Sequence, residues 1–122
     1  MKTAISNWVG MEQGNAVYML TLTHSHCRQD SLSDLMENQS AALERFWRTG
    51  SVRRLLDSTG YVGRVSSFEI TYGQGTGWHP HRHILLFCRK QDDIEGLGCK
   101  LRAYWTQALE KFDLKGNSLS LI

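Results

Sequence analysis

Apolar and polar positions along the chain fall into two periods. An apolar-rich run from Val17 to His24 predicts a strand buried in the middle of a sheet. Leu32, Leu35, Met36, Gln39, Leu43, Phe46 and Trp47 then recur at spacings of three and four, with only Gln39 polar. This predicts an amphipathic helix that begins at Ser31, with Asp34 three residues on as a weak capping box, and stops at Gly50. A short second helix from Ser51 to Thr59 turns Val52, Leu55 and Leu56 inward and ends at Gly60. Tyr61 to Tyr72 and His79 to Arg89 read as two strands. A long packing helix follows, with Ile94, Leu97, Leu101, Tyr104, Trp105, Ala108, Leu109 and Phe112 on one stripe. Ser118 to Ile122 alternates like a further strand. Residues 1–15 are polar and glycine-containing and predict a loosely held arm with Trp8 as its anchor. The order strand, helix, helix, strand, strand, helix, strand is that of one α+β domain, an antiparallel sheet covered by helices on one side.

The stretch from Glu69 to Arg89 changes the picture from fold to chemistry. Glycines at 73, 75 and 77 mark a hairpin loop between its two strands. If Tyr72 pairs with Trp78 across that loop, Glu69 stands opposite His81, with His83 one diagonal step away. Side chains alternate along a strand, so His79, His81 and His83 share one face and Pro80, Arg82 and Ile84 the other. Glu69, His81 and His83 are then close enough to close on one cation, whereas a register slip of one residue would send Glu69 to the other face. His79, at the hairpin mouth beside Pro80, ranks behind them as a supporting residue. The bland alternatives are a polar strand face hydrogen-bonded to its neighbours, or adventitious zinc ligands.

Composition adds limits. A length of 122 residues and 41% hydrophobic content suit one folded domain with a modest core. No apolar run approaches the length of a membrane span, and the start lacks the apolar segment of a signal peptide, so a cytoplasmic protein is expected. Cys27, Cys88 and Cys99 are odd in number and widely spaced, which predicts reduced thiols. A net charge of +2 permits a polyanionic partner without demanding one. The pair His24 and His26 reads as solvated loop histidines, and Arg45, Arg48, Arg53 and Arg54 as a solvated face, with a phosphate patch as the minority reading.

The run Gly77-Trp78-His79-Pro80-His81-Arg82-His83-Ile84-Leu85-Leu86-Phe87 resembles the metal-binding motif of bacterial rolling-circle plasmid replication initiators, in the HUH endonuclease superfamily. Val17-Tyr18-Met19-Leu20-Thr21-Leu22-Thr23 resembles the first motif of the same initiators, and the likeness covers roughly Ala16 to Phe112. One position departs from it: Arg82 stands where the family usually has an apolar residue. That side chain faces away from the cation and brings its side of the strand nearer solvent or DNA.

The resemblance implies an HUH-like sheet with the histidine strand near its centre. It also implies Mn²⁺ or Mg²⁺ at Glu69, His81 and His83, and a partner that is single-stranded or hairpin origin DNA; Arg82, Arg89 and Lys90 are candidate contacts by their nearness in sequence, and His79 is a supporting or DNA-facing residue. The implied activity is metal-dependent nicking and strand transfer through a 5′-phosphotyrosine. The alternative is a DNA-binding and metal-binding fragment without nuclease activity. In the family the catalytic tyrosine lies on a helix well downstream of the histidines and carries lysine three residues later. Here only Tyr104 follows, with Gln107 in the lysine position, and it falls on an apolar stripe where a core role outweighs a nucleophilic one. The expectation is therefore the N-terminal, metal-binding part of a longer initiator or a truncated relative. It would be incomplete at its C-terminus, with an exposed strand edge there that favours a homodimer.

Overall fold

The computed structural model describes residues 2–25, 31–74, 77–112 and 115–122. The elements run α1 (Lys2–Met11), β1 (Asn15–Ser25), α2 (Leu32–Arg48), α3 (Gly50–Asp57), β2 (Gly63–Gly73), β3 (Gly77–Arg89), α4 (Ile94–Glu110) and β4 (Lys115–Leu121). The four strands form one antiparallel sheet in the order β2-β3-β1-β4, which leaves the histidine-bearing β3 between two partners and β2 and β4 as the edges. The protein is thus α+β, as the periodicity predicts.

Alternation along the strands sorts the sheet into two faces. Leu20, Leu22, Ile84, Leu86 and Leu119 point to one of them, where they meet Ala42 and Phe46 of α2, Val52 and Leu56 of α3, and Leu101, Trp105 and Leu109 of α4 in a single core. Phe46 and Trp105 meet edge to face with ring centroids 5.8 Å apart, and the buried Trp105 indole satisfies its N–H on the carbonyl of Thr23 at 3.0 Å. Local signals fix the helix ends. Ser31 Oγ accepts from the Asp34 amide at 3.1 Å, and Asp93 caps α4 by accepting from the Gly96 amide at 2.9 Å. At Gly60, φ is +75° and a Cβ would run into the side chain of Arg89, so glycine ends the α3 segment for two reasons.

The first fifteen residues are the main departure from the sequence reading. They carry a helix, and it packs on the opposite face of the sheet from α2, α3 and α4. Trp8 shares its indole N–H between the carbonyls of Ala16 at 3.0 Å and Cys88 at 3.1 Å, and its ring meets Phe87 edge-on at 6.5 Å. Asn15 returns a hydrogen bond to the Trp8 carbonyl at 2.9 Å. These tertiary ties hold a segment with no acidic residue in its first turn and no basic residue in its last. The helices therefore cover β3, β1 and β4 on one face, where the outer part of β2 stays open with Ile70, Tyr72 and the facing Trp78 exposed, and they cover one end of the other face. Among the described residues, no helix is long and apolar enough to cross a membrane.

The candidate metal centre on the histidine strand

The open part of the second face carries the histidines. Tyr72 pairs with Trp78 and Glu69 with His81, in the register that the glycine-rich hairpin predicts. Directly opposed Cβ atoms on one sheet face lie about 5 Å apart, so this register brings the carboxylate within reach of the imidazole ladder. Gly77, at φ +82°, takes a left-handed turn where a side chain would be strained. That turn lets the hairpin close with Glu69 on the histidine side.

The three imidazoles stack as a ladder up this face. His79 and His81 lie 6.2 Å apart between centroids at 7° to one another, and His81 and His83 lie 6.4 Å apart at 11°. Glu69 Oε1 is 3.8 Å from His83 Nε2, an ion pair whenever that imidazole is protonated. On its other side His83 Nδ1 lies 3.2 Å from the hydroxyl of Thr21, its cross-strand partner on β1. Glu69 is 60% exposed and His83 only 28% exposed, so the more enclosed ligand candidate is held from both sides and the carboxylate is open to solvent.

In donor type and register these residues fit a divalent cation. Two imidazoles and a carboxylate leave coordination positions open for water or substrate, as a catalytic site requires and a closed structural site does not. The backbone places the donors, but the side chains do not yet converge. Among the described residues, no group of three His, Cys, Asp or Glu side chains lies at metal-holding distance.

Arg82 takes part in a device that sequence reasoning missed. It points to the helical face, as alternation requires, and is half-buried there rather than turned to solvent. Its Nε donates to Gln39 Oε1 at 2.9 Å, its terminal nitrogen to Ser40 Oγ at 2.7 Å, and its guanidinium lies 4.4 Å from the Phe68 ring centroid. Burial lowers its pKa from the usual arginine value. Gln39, 0% exposed, uses its amide to donate to the Pro80 carbonyl at 2.8 Å. The one polar residue in the apolar stripe of α2 and the one residue that departs from the initiator motif therefore satisfy each other. Between them they clamp β3 at the residues on either side of His81. The two anomalies were visible in the sequence, but nothing there tied one to the other.

The remaining candidates are scattered. Arg89 sits at the far end of β3, where it donates to Asn15 Oδ1 at 2.8 Å and pairs with Glu12 at 3.2 Å; Lys90 is exposed beside it. Arg89 lies six residue steps along the strand from His83, about 20 Å. Tyr104 is half-buried against the core on α4, on the other side of the sheet from the histidines. The chain's other tyrosines are equally remote in orientation. Tyr18 and Tyr72 alternate onto the helical face, and Tyr61, in the turn before β2, accepts from Arg64 at 2.9 Å. His24 corrects the reading of a solvated pair, since it is 4% exposed at the end of β1; His26 lies outside the described residues. Cys88 and Cys99 are free thiols, and Cys27 also lies outside the described residues. Arg48 pairs with Glu44 at 2.8 Å on an exposed helix surface, in keeping with a solvated basic face.

Comparison with known proteins gives two curated relatives. The chain is 26% identical to "Protein rep" of Streptomyces lividans, with 88% of this chain and 33% of that protein aligned. It is 30% identical to the "Neomycin resistance protein" of Streptomyces cyanogenus, over 68% of this chain and 24% of that protein. The chain thus spans about a quarter to a third of the curated relatives it matches. No family model matches. Among solved structures, an amidohydrolase/peptidase from Burkholderia cenocepacia aligns over 88% of this chain and 27% of its own, at 16% identity and a TM-score of 0.40, too slight a likeness to carry an argument. The relative named Protein rep agrees with the likeness seen in the histidine and Thr-Leu-Thr motifs, and on that footing the chain is Rep-like.

Proposed function

We propose that this chain is the metal-binding part of a plasmid rolling-circle replication initiator. Its histidine face would accept single-stranded or hairpin origin DNA for metal-dependent nicking and strand transfer. The observation that carries the reading is the pairing of Glu69 with His81, with His83 beside them, on the part of the sheet that no described helix covers. Relatedness to Protein rep supports it.

Glu69, His81 and His83 would hold Mn²⁺ or Mg²⁺. When bound, such an ion polarises a phosphate oxygen and offsets the negative charge that develops on it. The chain's own residues supply the rest. Thr21 and Glu69 flank His83 and orient its ring, and the Gln39–Arg82 clamp fixes the strand from behind. Exposed Lys90 is assigned a phosphate contact further along the strand, and Arg89 is left out because Asn15 and Glu12 already hold its guanidinium. Arg82 is left out likewise because α2 already engages its guanidinium.

No tyrosine of this chain stands on the histidine face, so in this reading the nucleophile is supplied from outside the chain. Tyr104 in particular is a packing residue. Incubation with Mn²⁺ and a pool of single-stranded and hairpin oligonucleotides should give metal-strengthened, salt-sensitive binding and no DNA-linked peptide by mass spectrometry. A DNA adduct on Tyr104 that vanishes in Tyr104→Phe would make Tyr104 the nucleophile. Equal affinity for heparin, unchanged by metal, would reduce the interaction to bulk charge.

A further inference from the structure

We propose that Thr21 is a positioning residue for the cation site: its hydroxyl engages His83 Nδ1 and leaves Nε2 to face the cation and Glu69. The inference rests on the reading of this face as a divalent-cation site, and it gives a physical role to the middle of the Thr-Leu-Thr run.

The strand fixes the partners. Leu20 and Leu22 are 0% exposed in the core, so Thr21 between them must point to the histidine face. The β1–β3 register then sets it opposite His83, with Oγ1 3.2 Å from Nδ1. Glu69 Oε1 stands near the other ring nitrogen, 3.8 Å from Nε2. A neutral imidazole has one protonated and one bare nitrogen, and only the bare one can bind a cation. With the lone pair of Nε2 given to a cation, the proton resides on Nδ1 and needs an acceptor. Thr21 Oγ1 is that acceptor. Oxygen partners of this kind fix the tautomer and ring orientation of metal-binding histidines, and their loss lowers metal affinity by about tenfold to a hundredfold. A hydroxyl suits the position better than a fixed acceptor, because it can also donate to Nδ1 when the proton sits on Nε2 beside Glu69.

A purely structural role for Thr21 is the competing account, since threonine favours strands through its branched shape. Thr21→Val keeps that shape and removes the hydroxyl; Thr21→Ser does the reverse. Mn²⁺ affinity by calorimetry should fall about tenfold or more in Thr21→Val and return in Thr21→Ser. The ring ¹⁵N shifts of His83 in the metal-free protein, recorded at alkaline pH, should move in Thr21→Val and stay near wild type in Thr21→Ser. Wild-type affinity and wild-type ring shifts in Thr21→Val would overturn the proposal alone, as would failure of serine to restore them while the backbone amide spectrum is unchanged. No divalent-ion binding by the wild-type chain would overturn the reading of the site and this proposal with it.

Discussion

The three histidines of the ladder differ in what stands opposite them, residue by residue. His81 faces Glu69 across the strand pair, whereas His79 faces Thr71, which brings no charge. His79→Ala should therefore weaken Mn²⁺ binding, measured by calorimetry, less than His81→Ala or Glu69→Gln does. The cysteines offer a second contrast. Cys88 is buried and its pKa is raised by that burial, against a hydrogen bond from Thr59 that lowers it; Cys99 is exposed. A raised thiol pKa means that the folded chain keeps a proton the unfolded chain has given up. The stability this contributes is complete below the ordinary thiol pKa and is lost as pH rises toward the folded value. Cys88 should react with iodoacetamide far more slowly than Cys99 in the native state, as peptide mapping would show, and the chain should lose stability on the alkaline side. Comparable labelling of both thiols would place Cys88 outside the core.

At the level of elements, the Gln39–Arg82 clamp joins α2 to the histidine strand. Truncating Gln39 leaves the Arg82 Nε and the Pro80 carbonyl without a partner, which typically costs about 1–3 kcal/mol. Gln39→Leu and Arg82→Leu together should cost less than the sum of the two, with a coupling of about 0.5–3 kcal/mol in urea unfolding. Strict additivity would show that the two side chains act independently. This pair also marks how far the elements were legible in the sequence. The amphipathic stripe of α2, the Ser31 cap and the Tyr72–Trp78 register follow from periodicity and turn chemistry, which act over a few residues. The clamp joins residues 43 positions apart, and α1 is held by the indole of Trp8 across the chain to Cys88. Local propensity does not report contacts of that range. Because α1 depends on those ties, Trp8→Phe, which removes the N–H that both carbonyls share, should loosen it. Faster amide exchange over Lys2–Met11, with the rest of the chain protected as before, would be the signature.

For the whole molecule, the decisive feature is the division of labour between the two sheet faces. One holds the core beneath α2, α3 and α4 and stays open only along β2; the other is covered by α1 only at the end remote from the histidines. Sequence alternation shows that two faces exist and puts Glu69, His79, His81 and His83 on the same one. It does not give the strand order, which arises from long-range pairing and places β3 inside the sheet, nor the side on which α1 packs. The candidate ligands share a register but not yet a coordination geometry, so the central claim is that this face takes up a divalent cation through Glu69, His81 and His83. Calorimetric titration of Mn²⁺ into the wild-type chain and into the His81→Ala, His83→Ala double variant tests it most directly. The account predicts saturable binding by the wild type at one ion per chain and none by the variant, since Glu69 and the remote His79 are too few donors to hold the ion. Undiminished Mn²⁺ affinity in the double variant would contradict it.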